Sequence, residues 1–282
     1  MGTAGAGDSA VRSSEATVPP RRDSAMILSA TRVALVTGGG RGIGAAIAFK
    51  LAQAGLRVAI SYHRDAASAE ATVKRITVAG GTARAYQAAV EDMHATDRMV
   101  EEVGHDLGAI GVLVNNAGIT SRGLDVADTD IDEVLRLLSI HAVGVHQLCR
   151  RTVPAMRDLG RGDIVMISSQ SSSSLPAGGA PYNMAKAAME ALAATLAKEE
   201  RRNGIRVNTV APGLVATEMG RRYVRAAFGS SGMAALAADS PFGRVCTVDD
   251  VAALVAYLVS DDGSYITGQR IAVDGGDWRD VR

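Results

Sequence analysis

The sequence predicts one large α/β domain built on a doubly wound parallel sheet of about seven strands, with helices on both faces. From about Thr31 onward, short runs rich in β-branched residues alternate with longer Ala- and Leu-rich segments of helical period. The short runs are apolar throughout, which is typical of strands covered on both faces. The chain has 282 residues and 47% hydrophobic content, which is enough to bury a substantial core.

The order of strands and helices follows directly from this alternation. The predicted strands are 32–37, 57–61, 83–88, 112–115, 163–168, 205–211 and 270–273. Helices fill the gaps and are predicted to begin near Ile43, Ala66, Ala95, Ile131, Pro181 and Val248. In such a sheet, ligands bind outside the carboxyl ends of the strands.

The two ends of the chain differ in kind. Residues 1–28 are rich in Gly, Ala, Ser and Pro and show no periodicity, so we predict a flexible leader ahead of a single domain at 29–282. The leader lacks the continuous apolar region of a secretory signal, and no apolar stretch reaches the length of a transmembrane helix. These features favour a cytoplasmic protein that does not bind membranes.

Charge and cysteine content exclude several other classes of function. The 30 basic and 30 acidic residues give a formal net charge of zero, and no basic stripe indicates nucleic-acid binding. The two cysteines, Cys149 and Cys246, have no metal-ligand spacing and are predicted to be reduced and packed. No metal site is predicted.

A glycine-rich segment, 37–44, lies between the first strand and the first helix. We expect Gly38 to allow a tight turn, Gly42 to allow the backbone to approach a pyrophosphate, and Gly44 to let the helix pack closely. The helix N-terminus would offer N–H donors to the phosphates. A plain glycine-rich turn is the alternative. The residues predicted to bind a dinucleotide here are Gly38, Gly40, Arg41, Gly42, Ile43 and Gly44.

Tyr182 and Lys186 stand four residues apart in a helical segment, so their side chains share a face. A fixed ammonium beside a phenol favours the phenolate and lowers the pKa of the phenol, which makes proton exchange with a carbonyl or alcohol feasible. Ser169 follows an apolar strand 13 residues earlier. A surface lysine beside a packed tyrosine is the alternative interpretation of the pair alone.

Together, the glycine-rich segment, the Asn-Asn-Ala-Gly sequence at 115–118, Ser169 and the Tyr182/Lys186 pair resemble the short-chain dehydrogenase/reductase family. The resemblance spans about Thr31 to Gly276 and implies a Rossmann fold. It implies that Tyr182 is the catalytic acid/base, that Lys186 lowers its pKa and holds the nicotinamide ribose, and that Ser169 hydrogen-bonds the reacting oxygen.

The choice between NAD and NADP depends on the end of the second strand, where NAD-binding relatives place an acid. Here Ser61 or Tyr62 occupies that position, and Arg41, His63 and Arg64 can attract a 2′-phosphate. We therefore predict NADP as the cofactor, with Tyr62, His63 and Arg64 in its site. Ordinary solvated side chains are the alternative, and Asp65 follows closely.

The resemblance places further residues around the cofactor. Ala89 replaces the aspartate that relatives use for adenine, while Val90 can still pack on the ring. Asn115, Ala117 and Gly118 are expected on the ribose side, and Asn116 is as readily structural. The residues expected beside the nicotinamide are Pro212, Gly213, Val215 and Thr217. Segment 214–243 corresponds to the mobile flap over the substrate.

His141 stands where many relatives carry an asparagine that is thought to hold a proton-relay water. A histidine can hold a water or relay a proton itself. A satisfied packing histidine is the alternative. We include His141 among the candidate catalytic residues.

The wider pattern resembles the 3-oxoacyl-(acyl carrier protein) reductase branch, which implies a small-molecule carbonyl or alcohol substrate. Carrier-protein reductases often use two arginines that here correspond to Gly160 and Asn203, with Arg161 and Arg202 adjacent, so a carrier-protein partner stays open. A reductase of another ketone, sugar or steroid, a non-catalytic NADP-binding regulator, and an isomerase or dehydratase are the alternatives. Segment 171–175 either lines the substrate pocket or forms a polar loop.

The resemblance also implies a homotetramer. We expect the interface to use a helix over 131–159, with a break, and a second over 181–202. The second helix carries Ala and other small or apolar residues on a face that chemistry and the sheet do not use. A monomer with an Ala-rich surface is the alternative.

Overall fold

A computed structural model describes residues 32–228 and 232–276, together with Gly2. The predicted leader at 1–28 lies outside these residues, apart from Gly2. The described chain forms a sheet of seven parallel strands in the order β3-β2-β1-β4-β5-β6-β7. The doubly wound fold predicted from the sequence is therefore confirmed.

All seven predicted strands form, and their ends differ from the predicted ones by at most two residues. The strands are β1 (Val33–Val36), β2 (Arg57–Tyr62), β3 (Thr82–Gln87), β4 (Ile110–Asn115), β5 (Gly162–Ile167), β6 (Ile205–Pro212) and β7 (Arg270–Val273). Strands β1, β4 and β5 are buried along their whole length. Their continuous apolar sequences reflect this two-sided covering.

The six predicted helices begin within two residues of the predicted positions, the helix expected over 131–159 forms in two parts, and three further α-helices form within the described residues. The helices are α1 (Gly42–Gln53), α2 (Ala66–Val78), α3 (Met93–Asp106), α4 (Ile131–Leu138), α5 (Gly144–Asp158), α6 (Ser171–Ser174), α7 (Ala180–Glu200), α8 (Glu218–Phe228), α9 (Gly232–Asp239) and α10 (Val248–Leu258). The segment 214–243, which corresponds to the family's mobile flap, interrupts the strand–helix pattern and contains α8 and α9. Their sequences are short and rich in Ala, Gly and Arg, so periodicity alone did not separate them from a loop.

The core consists of two apolar layers, one on each face of the sheet. Helices α1, α2 and α10 cover one face, where α1 packs against α10. Helices α3, α5 and α7 cover the other. Each layer buries about half of the apolar side chains of the central strands, which fixes the register of every strand relative to the helices.

The break expected in the helix over 131–159 is a single π turn at Ser139–Val143, between α4 and α5. Such turns insert an extra residue into a helix and often occur at functional sites. Here the π turn buries His141.

No helix in the described residues is long and apolar enough to cross a membrane. Within the same residues, no group of His, Cys, Asp and Glu side chains could hold a metal ion.

Candidate active site

The candidate site lies where the strand order reverses, between β1 and β4. The loops that leave these two strands diverge in opposite directions and open a crevice at their carboxyl ends. The loop after β1 contains the glycine-rich segment, and the loop after β4 contains the Asn-Asn-Ala-Gly sequence. The fold therefore brings together two motifs that are far apart in the chain.

Helix α1 is uncapped at its N-terminus, which distinguishes it from the helices after the next three strands. Arg41 occupies the N-cap position of α1, but its side chain makes no capping hydrogen bond. The first turn of α1 contains no acidic residue. By contrast, Asp65, Asp92 and Asp130 cap α2, α3 and α4 through their carboxylates. The first N–H groups of α1 therefore lack a side-chain acceptor, and an anion can take that role.

The glycine-rich segment has a backbone conformation that allows a ligand to approach it closely. Gly42 has φ of +55° and is exposed, a backbone conformation that a residue with a Cβ rarely adopts. A Cβ on Gly44 would collide with the Gly38 carbonyl and the Asn116 amide, so Gly44 fits the loop against the end of β4. Gly40 and Ile43 are half-buried beside them. This exposed backbone next to an uncapped helix is a suitable cradle for a pyrophosphate.

Asn116 ties the two loops together. Its side-chain amide donates to the Thr37 carbonyl at 2.9 Å and to the Gly38 carbonyl at 3.2 Å. The Thr37 hydroxyl accepts from the backbone N–H groups of Asn116 and Ala117, both at 3.0 Å. Asn116 therefore has the structural role that the sequence left open.

Asn115 is buried rather than aimed at the crevice. Its amide nitrogen lies 3.2 Å from the Met166 sulfur and 3.8 Å from the Cys149 sulfur. Its side-chain oxygen has no hydrogen-bond partner within the described chain. The expected ribose contact of Asn115 can thus involve its main chain only, while Ala117 and Gly118 lie half-buried beside the crevice.

The end of β2 carries no free carboxylate. Ser61 is buried, and its hydroxyl accepts from the Gly38 N–H at 3.3 Å. The Asp65 carboxylate accepts from the Ser68 backbone N–H at 3.0 Å and from the Ser68 hydroxyl at 2.7 Å, and these bonds lower the pKa of Asp65. Tyr62 is half-buried, and His63 and Arg64 are exposed.

Arg41 is exposed and has only distant acidic neighbours. Its Nη1 lies 3.9 Å from an Asp65 oxygen and 3.7 Å from a Glu218 oxygen. Both separations are longer than a charge-assisted hydrogen bond. The guanidinium therefore keeps most of its capacity to bind an anion.

The expected adenine and nicotinamide residues lie at the carboxyl ends of β3 and β6, on opposite sides of the crevice. Val90, just beyond β3, is buried against the core, and Asp92 caps α3, so Asp92 does not replace the missing adenine aspartate. Pro212 ends β6, and the Gly213 N–H donates to the Val273 carbonyl at 3.0 Å. Val215 is buried, and the Thr217 hydroxyl accepts from the Gly220 N–H at 3.0 Å.

Ser169, Tyr182 and Lys186 converge at the end of β5. Ser169 follows the strand directly, and α7 presents Tyr182 and Lys186 on the face turned towards it. Burial raises the pKa of Tyr182, and a hydrogen bond with Ser169 acts in the opposite direction. The sequence predicted that Lys186 lowers the pKa of Tyr182, whereas in the structure this pKa is raised because burial outweighs the hydrogen bond with Ser169.

Lys186 is buried with one close acceptor. Its Nζ donates to the Ile167 carbonyl at 2.7 Å and lies 5.7 Å from the centre of the Tyr182 ring. Burial lowers the pKa of Lys186 to about 7, while the carboxylate of Glu190 acts to raise it. A lysine that titrates near neutrality can change charge during a reaction, which surface lysines cannot do.

His141 lies against the same tyrosine. The two rings meet edge to face, with centroids 5.5 Å apart. Nε2 of His141 lies 2.9 Å from the Ile119 carbonyl oxygen and 3.3 Å from the Ile119 nitrogen, and Nδ1 is buried without a partner in the described residues. A Cβ on Gly118 would collide with the His141 ring. Burial lowers the pKa of His141 to about 3, so the ring is neutral at physiological pH.

The sequence analysis missed Glu190 and Arg270, which contact the loop after β5 that carries Ser169. Glu190 is one turn beyond Lys186 on α7, and Arg270 is the first residue of β7. The i, i+4 spacing of Tyr182, Lys186 and Glu190 was the one signal in the sequence for Glu190. Nothing in the sequence indicated Arg270, because its contacts cross from β7 to the loop after β5.

Comparisons with known proteins agree with this geometry. A family model described as enoyl-(acyl carrier protein) reductase matches residues 38–277. The NADPH-dependent aldehyde reductase-like protein, chloroplastic, of Arabidopsis thaliana is 36% identical over 261 residues, 88% of this chain and 94% of that protein. The 3-oxoacyl-[acyl-carrier-protein] reductase FabG of Staphylococcus aureus is 36% identical over 248 residues, 87% of this chain and 98% of that protein. The crystal structure of gox2181 has a TM-score of 0.80 at 32% identity and covers 87% of this chain and 95% of its own.

Proposed function

Because this chain belongs to the short-chain dehydrogenase/reductase family, most like its 3-oxoacyl-(acyl carrier protein) reductase branch, we propose that it is an NADP-dependent oxidoreductase. The proposed reaction interconverts a ketone and a secondary alcohol by hydride transfer. The observation that carries the proposal is the convergence of Ser169, Tyr182 and buried Lys186 at the end of β5, beside the uncapped N-terminus of α1.

The bound nicotinamide supplies the hydride in reduction and accepts it in oxidation. In the reducing direction, the Tyr182 hydroxyl donates its proton to the carbonyl oxygen, which becomes the alcohol hydroxyl. Ser169 is placed to donate a hydrogen bond to the same oxygen, because it already bonds with Tyr182. The ammonium of Lys186 stabilises the phenolate that remains.

The neutral-range pKa of Lys186 supports this division of roles. At a pKa of about 7, the side chain is charged in roughly half of the molecules at neutral pH. The charge therefore depends on nearby groups, and a phenolate forming on Tyr182 would draw a proton onto Lys186. This coupling lets the pair act as one acid/base unit.

NADP is the cofactor that the residues around β2 favour. Arg41, His63 and Arg64 are exposed at the end of the glycine-rich segment and of β2. In the described part of the chain, the two carboxylates near Arg41 are those of Asp65, which caps α2, and Glu218. The end of β2 itself, where a 2′-hydroxyl would need an acceptor, carries Ser61 and Tyr62 and no carboxylate, which favours the 2′-phosphate. A relative with 36% identity carries NADPH dependence in its name.

In this proposal, His141 acts as an uncharged hydrogen-bonding residue. The shorter contact to the Ile119 carbonyl assigns the proton to Nε2, which leaves Nδ1 as an acceptor. An acceptor in that position can hold a water near Lys186, as an asparagine would. A pKa of about 3 argues against His141 carrying the proton itself.

Turnover assays test the function directly. We expect NADPH oxidation with at least one member of a panel of 3-oxoacyl esters, aldehydes, ketones and keto-sugars, and alcohol oxidation with NADP⁺ in the reverse direction. Tight NADPH binding without turnover on the whole panel would instead indicate the non-catalytic regulator. The panel includes 3-oxoacyl groups on carrier protein, although Arg161 is already engaged by Asp163 and Asp261 at the opposite end of the sheet.

We also propose assembly as a homotetramer. The exposed side of α7 carries Met184, Ala187, Ala191, Ala194 and Thr195, and Ala188 lies at its edge. Ile131 and Leu135 of α4 are exposed as well, and small residues allow two helices to approach closely. Light scattering checks this: we expect about four times the chain mass of 29.1 kDa, and a value near one chain mass would refute it.

A further inference from the structure

The carboxylate of Glu190 on α7 contacts two serines beyond the end of β5 and an arginine of β7. Its Oε1 accepts from the Ser168 hydroxyl at 2.6 Å and from the Ser172 hydroxyl at 2.7 Å. Arg270 Nε lies 3.1 Å from both carboxylate oxygens of Glu190. The carboxylate thus receives donors from three sides, and two of them belong to the loop that carries Ser169.

The Nη2 nitrogen of Arg270 holds the same loop. Nη2 of Arg270 donates to the Ser169 carbonyl at 3.3 Å, to the Gln170 side-chain oxygen at 2.7 Å and to the Ser172 hydroxyl at 3.2 Å. The Ser172 hydroxyl oxygen also lies 2.7 Å from the Ser169 carbonyl, so its single proton can be donated either there or to Glu190. The backbone of Ser169 is therefore fixed from behind, while its hydroxyl oxygen lies 3.2 Å from both the hydroxyl and the backbone nitrogen of Ser171.

Glu190 is also the anion closest in sequence to Lys186 on their shared helix face. The other polar groups around Lys186 are the Ile167 carbonyl, Tyr182 on the preceding turn and the neutral ring of His141. Arg270 faces Glu190 from β7. The carboxylate of Glu190 favours the charged form of Lys186, whereas burial opposes it.

We propose that Glu190, held in place by Arg270, is a positioning residue that favours the protonated form of Lys186 and fixes the loop bearing Ser169. The expected changes in turnover rest on the proposed function, whereas the expected change in the pKa of Lys186 does not. Glu190 touches neither substrate nor nicotinamide in this scheme. It acts through Lys186 by charge and through Ser168 and Ser172 by hydrogen bonds.

The Glu190→Gln variant separates charge from shape, because the amide oxygen still accepts from the two serines while the charge is lost. The chain has four lysines, Lys50, Lys74, Lys186 and Lys198, so ¹³C-lysine labelling gives a resolvable NMR titration, with Lys186 assigned from the Lys186→Arg spectrum. We expect the pKa of Lys186 to fall by about one pH unit in Glu190→Gln. The control Glu199→Gln, exposed on the same helix, should leave it unchanged.

The pH profile of turnover is the kinetic counterpart. A Lys186 pKa lower by one unit reduces the charged fraction at pH 7 about fivefold, so kcat of Glu190→Gln should fall by about that factor at pH 7 and recover towards pH 5.5. Arg270→Met should lower kcat at every pH, with the KM for NADPH unchanged, because it releases the Ser169 backbone without removing the Glu190 charge. Melting temperatures of both variants verify folding.

The outcomes separate the inference from the proposed function. If Lys186 titrates in Glu190→Gln as in the wild type and the pH profile does not move, the inference is wrong, whatever the enzyme reduces. If the titration moves but the wild type turns over no carbonyl, the charge pairing stands and the proposed function fails.

Discussion

The two ends of strand β5 hold buried charges in opposite ways. At its start, Asp163 is 2% exposed and is contacted by three guanidinium groups, those of Arg32, Arg206 at 2.5 Å and Arg161 at 3.8 Å. Just beyond its end, Lys186 is 3% exposed and has a carbonyl as its one close partner, with a carboxylate one helical turn away.

The difference shows how one sheet divides stability from chemistry. Burial is the largest influence on Asp163 and raises its pKa, while the neighbouring charges of Arg206, Arg32 and Arg161 act in the opposite direction. Lys186 lacks such compensation, and its pKa falls to about 7. A buried charge with opposite charges in contact holds strands together, whereas a buried charge without a contacting counter-ion is ready to gain or lose a proton. Substitutions at the two ends should therefore change different observables.

The largest effect is expected at the start of β5. Asp163→Asn removes the anion from a cluster in which Arg32 and Arg206 are both largely buried. Breaking a buried ion pair costs about 3–5 kcal/mol, so the free energy of unfolding in urea should fall by about that amount. Asp158→Asn, exposed at the end of α5, is the matched control. Unchanged stability would contradict a stabilising role of Asp163. A large loss of kcat in folded protein, measured at low temperature, would contradict the separation of stability at the start of β5 from chemistry beyond its end.

Tyr182→Phe should have the opposite profile at the other end. We expect turnover to fall by about a hundredfold or more, because positioned acid/base groups commonly contribute that much. NADPH affinity and the melting temperature should stay near wild type. Steady-state kinetics and calorimetry measure both, with Tyr257→Phe, exposed on α10, as control. Activity close to wild type would contradict the assignment of Tyr182 as acid/base.

Arg41→Ala should weaken NADPH binding without affecting NADH. A charge-assisted contact to a 2′-phosphate contributes about 1.5–3 kcal/mol, so the Kd for NADPH should rise at least about tenfold. Fluorescence titration of both reduced cofactors measures this. Arg202→Ala, exposed ahead of β6 at the amino end of the sheet, is the control. Wild-type protein that binds NADH more tightly than NADPH would overturn the cofactor assignment.

The smallest effect is expected at His141. Leucine removes the Nδ1 acceptor and should lower kcat about twofold to tenfold, the worth of one neutral hydrogen bond. Asparagine restores a polar side chain and should recover most of the loss. Equal losses in His141→Asn and His141→Leu would show that the ring matters for packing against Gly118 and Tyr182, not for holding a water.

The comparison also marks how far sequence reasoning reached. The strands and the positions of Ser169, Tyr182 and Lys186 could be predicted, because apolar runs, glycine placement and an i, i+4 pair are local patterns. The burial of Asn115 and the clasp formed by Asn116 could not be distinguished, because both residues lie in the same motif and only packing separates them. Helix α9 was missed because its sequence lacks a clear apolar stripe, and α8, although amphipathic, is short and lies in a segment that was interpreted as a flap.

The sequence by itself determined the parallel sheet, the cofactor loop and the order of the catalytic residues, since these depend on residues close together in the chain. Only the tertiary structure decided the protonation of those residues. The pKa values of Tyr182, Lys186 and His141 depend on burial and on partners such as Glu190. The Arg270 contact that fixes Glu190 joins residues 80 positions apart. Electrostatic interactions act through space, so distances between side chains that no local pattern encodes decide their strength.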